Sequence, residues 1–123
     1  MHKVKCYKDL FAWKKGLNLA RDIYEITKEF PKDERFCLTS QMRRAAVSIV
    51  ANIAEGNGRN TTGEYRQALG ISKGSHAELE TLIQLSLELG YTDEHNGGGL
   101  LEQCAEVGRL INGLMKSLPS NNR

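Results

Sequence analysis

Two prolines punctuate this chain, Pro31 and Pro119, and each stands directly behind a long stretch whose apolar residues recur every three or four positions. Proline cannot continue a helix and pushes the residue before it away from helical dihedrals, so this placement reads as a stop after a helical run. No segment alternates with period two over β-branched residues, which removes the sheet-forming alternatives. What remains is an all-α chain. In 123 residues, the size of one domain, the spacing predicts four helices, over about 9–30, 40–56, 62–89 and 99–118. The connections are short, so antiparallel neighbours are the economical solution: an up-down-up-down four-helix bundle forming a single domain over 1–123.

The first helix carries Leu10, Trp13, Leu17, Ala20, Tyr24 and Thr27 on one line and Leu19, Ile23, Ile26 and Phe30 beside it. Asp9 is its expected N-cap, because a side-chain oxygen there can accept from a free amide of the first turn. Thr61 and Glu64 spell a capping box at the head of the third helix, and Gly90 is placed to end it. The fourth aligns Leu100, Cys104, Val107, Ile111, Leu114 and Leu118. The run Gly97-Gly98-Gly99 ahead of it predicts a flexible loop, since glycine gives up the most backbone entropy on entering a helix.

The second helix is the informative one. Nine of its seventeen residues from 40 to 56 are apolar, and they do not share one side. At 100° per residue Met42, Ala46, Ile49 and Ile53 cluster together, whereas Val47, Val50, Ala51 and Ala54 fall elsewhere. One apolar stripe suffices to dock a helix in a small bundle; a helix apolar on two faces needs cover on both. Either another copy of the chain supplies the second cover, at Val47, Val50, Ala51 and Ala54, or these small residues serve close packing within the monomer. The polar residues left over, Gln41, Arg44, Ser48, Asn52 and Glu55, are spaced 3, 4, 4 and 3 and form one ridge. That ridge is either a solvated edge or a buried network that fixes register. Glu55 sits at the negative end of the helix dipole and calls for a donor, either Arg59 or the free amides from Thr61 to Glu64. Ser72, Ser75 and His76 interrupt the apolar line of the third helix where antiparallel pairing brings it to the ridge.

Charge and composition exclude more than they select. Residues 1–44 hold eleven Lys and Arg against six Asp and Glu, while 45–90 hold three against five. The basic excess on the first helix and the start of the second suits a polyanion, though it is far from the basic stripe of a dedicated nucleic-acid binder. Cys6, Cys37 and Cys104 are odd in number and far apart, which argues against a disulfide framework and for reduced thiols in the cytoplasm. The start Met1-His2-Lys3-Val4-Lys5-Cys6 has no apolar run behind its basic residues, so no secretory signal is expected. No stretch is apolar and long enough for a membrane span. His76 and Glu80 are four apart, but the remaining ligands of a di-metal bundle are absent, so no metal or cofactor is expected. No nucleophile elbow or phosphate loop occurs, and Cys37 has no histidine tied to it. No catalytic residue and no small-molecule substrate are assigned.

The string Leu10-x-x-Trp13, Ile23-Tyr24, Phe30-Pro31, Leu38-x-x-Gln41-Met42-Arg43-Arg44-Ala45 and Ser48-Ile49-x-Ala51-Asn52-Ile53-Ala54-Glu55-Gly56 resembles the bacterial four-helix bundle proteins encoded in intervening sequences of 23S ribosomal RNA genes. Gly74-Ser75-x-x-Glu78-Leu79-Glu80 fits the same family, and the resemblance runs from about 7 to 118. It implies a four-helix bundle, assembly into a pentamer and no established enzymatic activity. It also implies likeness in fold to the accessory variability protein of diversity-generating retroelements, a pentamer that binds nucleic acid and a reverse transcriptase. The motif residues Gln41, Arg44, Ser48, Asn52, Glu55 and Ser75 become a candidate polar network. Two functions follow as expectations. One is a non-enzymatic oligomer associated with RNA or a ribonucleoprotein, with Lys14, Lys15, Arg21, Arg43, Arg44 and Arg59 as the cations. The other is a protein-binding scaffold without nucleic-acid contact. Cations gathered on one face favour the first; cations dispersed among carboxylates favour the second.

Overall fold

A computed structural model describes residues 6–119, and the basic N-terminal residues 1–5 lie outside them. Four helices pack as a bundle: α1 (Phe11–Thr27), α2 (Leu38–Asn57), α3 (Thr62–Glu88) and α4 (Glu94–Ser117). Each packs on its sequence neighbours and α4 returns to α1, which closes the up-down-up-down arrangement. The core runs down the middle, through Leu19 and Ile23 of α1, Met42, Ile49 and Ile53 of α2, Leu69, Leu79 and Ile83 of α3, and Val107 and Ile111 of α4. No described helix is long and apolar enough to cross a membrane.

The ends differ from the sequence reading in physically clear ways. Asp9 is not the N-cap of α1. It closes a 3-10 turn over Tyr7–Asp9, and Leu10 caps α1 without a side-chain bond. That turn folds Tyr7 onto Trp13, ring centroids 5.4 Å apart and near edge-to-face, an aromatic contact that competes successfully with a cap. Past Thr27 the chain tightens, with Phe30 N–H donating to Thr27 O, and Pro31 follows as the stop. Helix α2 starts two residues earlier than its pattern suggested, because the Glu34 carboxylate accepts from the Leu38 amide at 3.3 Å. The other Glu34 oxygen accepts from Tyr91 Oη at 2.8 Å. The Thr61 cap is as expected, its hydroxyl accepting from Glu64 N–H at 3.1 Å. Gly90 takes a positive φ of 74°, and Tyr91 N–H reaches back to Ser86 O, so α3 ends in a Schellman turn.

The largest correction concerns the glycine triplet. Gly97, Gly98 and Gly99 are not a loop but lie in the first two turns of α4. The signal overlooked was Asp93, whose carboxylate accepts from Asn96 N–H at 2.8 Å and starts the helix there. Gly97 has a packing reason: a Cβ there would lie 2.6 Å from Leu87 Cδ2. Tertiary contact and a cap thus override a low helix propensity. In α1 the buried stripe is Ala12, Gly16, Leu19, Ala20, Ile23 and Thr27, whereas Leu17 and Tyr24 of the expected line are exposed.

Candidate polar seam and exposed faces of α2

Helix α2 lies between α1 and α3, and its two flanks are chemically different. Toward α3 the polar ridge becomes a hydrogen-bonded seam. Ser48 and Ser75 pair through their hydroxyls at 2.7 Å, and Asn52 Nδ2 donates to Ser48 O at 2.9 Å and Ser48 Oγ at 3.2 Å. Deeper, the fully buried Ser72 donates to Ile49 O at 2.8 Å. The ridge is therefore partly a network and partly a solvated edge: Ser48, Asn52 and Ser75 are half-buried, while Gln41, Arg44 and Glu55 are exposed. Gln41, Arg44 and Glu78 border a small groove with the two serines on its wall. Glu55 finds a donor among the two expected, accepting from Arg59 Nη2 at 3.1 Å.

Toward α1 the contact is apolar and close. Val50 packs on Gly16, where a Cβ would stand 3.4 Å from Val50 Cβ. Val50 was expected at an interface between copies; it is 7% exposed and belongs to the monomer's own α1–α2 contact. Val47 remains 43% exposed, Ala51 is exposed and Ala54 is half-buried. Leu17 and Tyr24 of α1 are exposed as well, and the α1–α2 contact between Arg43 and Tyr24 at one end and Gly16 and Val50 at the other places these residues along the same side of the bundle.

The six candidate cations are divided. Lys14 and Arg21 lie on the same outer ridge of α1 as Leu17 and Tyr24. Lys14 also lies over the Phe11 ring, and Arg21 donates to Asn18 Oδ1 at 2.7 Å. Arg43 is half-buried; its Nε donates to Thr27 Oγ1 at 2.9 Å, its Nη2 to Tyr24 O at 3.3 Å, and its guanidinium stacks 4.7 Å from the Tyr24 ring centre. It closes the C-terminal end of α1, a role the sequence did not reveal. Lys15 turns to the α4 side, 3.9 Å from Glu106. Arg44 borders the seam groove with Glu78, and Arg59 is paired with Glu55. Three of the six thus keep carboxylate company.

Three further features escaped the sequence reading. Arg66 reaches from α3 to the end of α4 and donates to Met115 O at 3.2 Å and Pro119 O at 2.7 Å. His76 Nε2 contacts Cys104 O at 2.6 Å, in a notch that only Gly108 leaves open. An open groove of about 490 Å³ lies between α1 and α4, with Asp22, Glu25, Glu29 and His95 on its rim and Leu100 on its floor. Burial, and secondarily the charge of Glu80, pushes the Cys104 thiol up to about 12, which leaves it a protonated core residue. Among the described residues no group of three or more His, Cys, Asp or Glu could hold a metal ion.

These polar groups bind helix to helix or cap helix ends, and the fold they hold defines the class of protein: an all-α four-helix bundle. The chain belongs to the 23S rRNA-intervening sequence protein family, whose model matches residues 8–113. Among solved structures it is similar to the crystal structure of a protein of unknown function from the S23 ribosomal protein family of Bacteroides thetaiotaomicron. The TM-score is 0.78 at 21% identity, over 86% of this chain and 99% of that one, a likeness of fold. No curated protein matches the chain significantly.

Proposed function

We propose that this protein is a non-catalytic, self-associating module of the cytoplasm, whose α1–α2 side seats another copy of the chain. The observation that carries the reading is the strip of Leu17, Tyr24, Val47 and Ala51, exposed on a bundle whose core is already complete without them. Exposed apolar residues gathered on one side of a small domain mark a contact surface. The resemblance to a pentameric family makes a pentamer the expected assembly. The free thiols Cys6 and Cys37, exposed and unpaired, suit a reducing compartment. In a sedimentation experiment the Val47→Asp variant should fall to the mass of a monomer while keeping its helical spectrum. An unchanged assembly in that variant would sink the proposal.

A second reading, RNA or ribonucleoprotein association, draws support from Lys14, Arg21 and Arg43 on that same side. The pairing of Lys15 and Arg59 with carboxylates supports the scaffold reading instead. A salt titration separates them: phosphate contacts give a steep fall of affinity with salt, roughly one unit of log–log slope per contact. Absence of RNA binding at low salt removes the second reading.

A further inference from the structure

The geometry points to a binding site for a linear aliphatic polyamine in the groove between α1 and α4. The groove lies on the flank of α1 that faces α4, away from Leu17 and Tyr24, so the inference stands apart from self-association. Its volume of about 490 Å³ is of the size that small ligands occupy. Ile26 and Leu100 make an apolar floor, and Asp22, Glu25 and Glu29 line the α1 wall. Asp22 Oδ2 accepts from Gln103 Nε2 at 2.9 Å, a bond that spans the two helices. Those two residues also border a smaller groove beyond, where Lys15 and Arg21 stand with Glu106 and the acidic run ends. Glu25 holds Lys28, which does not line the groove, at 3.0 Å; Glu29 pairs with no cation among the described residues. Gly99 lines the α4 side. A Cβ there would meet nothing within 4 Å, so packing inside the bundle does not ask for glycine, the poorest helix former after proline. Gly97 makes room for Leu87; bare Gly99 leaves the groove open.

The three carboxylates are spread along a line and not focused on a point. At a rise of about 1.5 Å per residue, Asp22 and Glu25 stand about 4.5 Å apart along the helix axis, and Glu25 and Glu29 about 6 Å. Among the described residues no three such groups come close enough to hold a metal ion. Ammonium groups joined by methylenes match the line. With bonds of about 1.5 Å, a three-carbon link sets its nitrogens roughly 5 Å apart and a four-carbon link roughly 6 Å. Each ammonium then faces a carboxylate, and the methylenes lie on Ile26 and Leu100, out of water. An extended basic peptide fits less well. Its side chains return to one face only about every 6.6 Å. Its backbone groups would meet the walls of α1 and α4, whose mid-helix amides and carbonyls are already paired. A triamine with one three-carbon and one four-carbon link, spermidine, suits the spacing of the wall.

Isothermal titration calorimetry with spermidine tests the site. One spermidine per chain is expected. Asp22→Asn and Glu29→Gln should each weaken it about 2–5-fold, the effect of removing one partly exposed ion pair. Glu102→Gln, at an exposed carboxylate of α4 outside the groove, should leave it unchanged. Gly99→Leu keeps every charge and fills the groove, so it should abolish binding while circular dichroism shows the bundle intact. Putrescine, with one amine fewer, should bind more weakly than spermidine. No binding by the wild type overturns the inference. A folded Gly99→Leu protein that binds as the wild type does also overturns it. So does magnesium that displaces spermidine mole for mole, because the contact is then loose counterion attraction. A trilysine peptide that binds more tightly than spermidine, and is lost with Gly99→Leu, overturns it in favour of a basic protein segment. Should Gly99→Leu not fold, unchanged affinity in Asp22→Asn and Glu29→Gln overturns it alone.

Discussion

The two flanks of α2 solve the same problem, close approach of a neighbouring helix, by different means. Against α1 the fit is apolar and loose enough to tolerate a methyl group: a Cβ on Gly16 would stand 3.4 Å from Val50 Cβ. Against α3 it is tighter and polar. A Cβ on Gly56 would stand 2.9 Å from Tyr65 Cδ1 and 3.0 Å from Ala68 Cβ, and Ser48, Asn52, Ser72 and Ser75 thread hydrogen bonds through the seam. The difference explains why α2 is apolar on two sides. Of the four residues of the second apolar side, α1 covers Val50 alone. The residues that still lack cover are Val47, Ala51 and the rim of Ala54.

That contrast can be broken by substitution. Gly56→Ala should destabilise most, by about 1–3 kcal/mol, because overpacking against the Tyr65 ring and Ala68 outweighs the gain in helix propensity. Ser72→Ala, which removes a buried hydroxyl from the same seam, should cost about 1 kcal/mol. Gly16→Ala should change sign and stabilise by up to about 1 kcal/mol, since alanine is the better helix former and the space is there. Urea unfolding of the three variants reads the order directly. Equal effects at Gly16 and Gly56 would show that the flanks are packed alike. The smallest effect is the coupling of Ser48 and Ser75, about 0.5 kcal/mol in a double-mutant cycle with alanine.

The core on the far side of α3 offers a pH test. Cys104 has its pKa raised from 9.0 to about 12 in the folded chain by burial and by Glu80. A raised folded pKa means the contribution is whole below the unfolded value and is lost as pH climbs toward the folded one. Stability should therefore decline between about pH 9 and pH 12, and Cys104→Ala should flatten that part of the profile. Thiol titration of the native protein should find Cys6 and Cys37 reactive and Cys104 silent until unfolding.

Much of this architecture is legible in the residues. The periodicities, Pro31, Pro119, the Thr61 cap and the Gly90 stop locate four helices, and the 3-and-4 spacing of Gln41 to Asn52 finds the seam residues. What the residues conceal is long-range. Arg43 capping α1, Arg66 holding the end of α4, and Gly97 making room for Leu87 depend on partners distant in sequence. The glycine triplet misleads because local propensity knows nothing of Leu87. Val50 misleads because an apolar residue facing a neighbouring helix and one facing a second copy have the same spelling. The division of the six cations is likewise invisible until Glu106 and Glu78 come across from other helices.

The central claim is that the apolar strip left uncovered along α1 and α2 is where a second copy sits. The mass of the wild-type protein in solution tests it most directly, by sedimentation across a dilution series. A species at a multiple of 13.7 kDa is the predicted result. A single 13.7 kDa species at every concentration would contradict it.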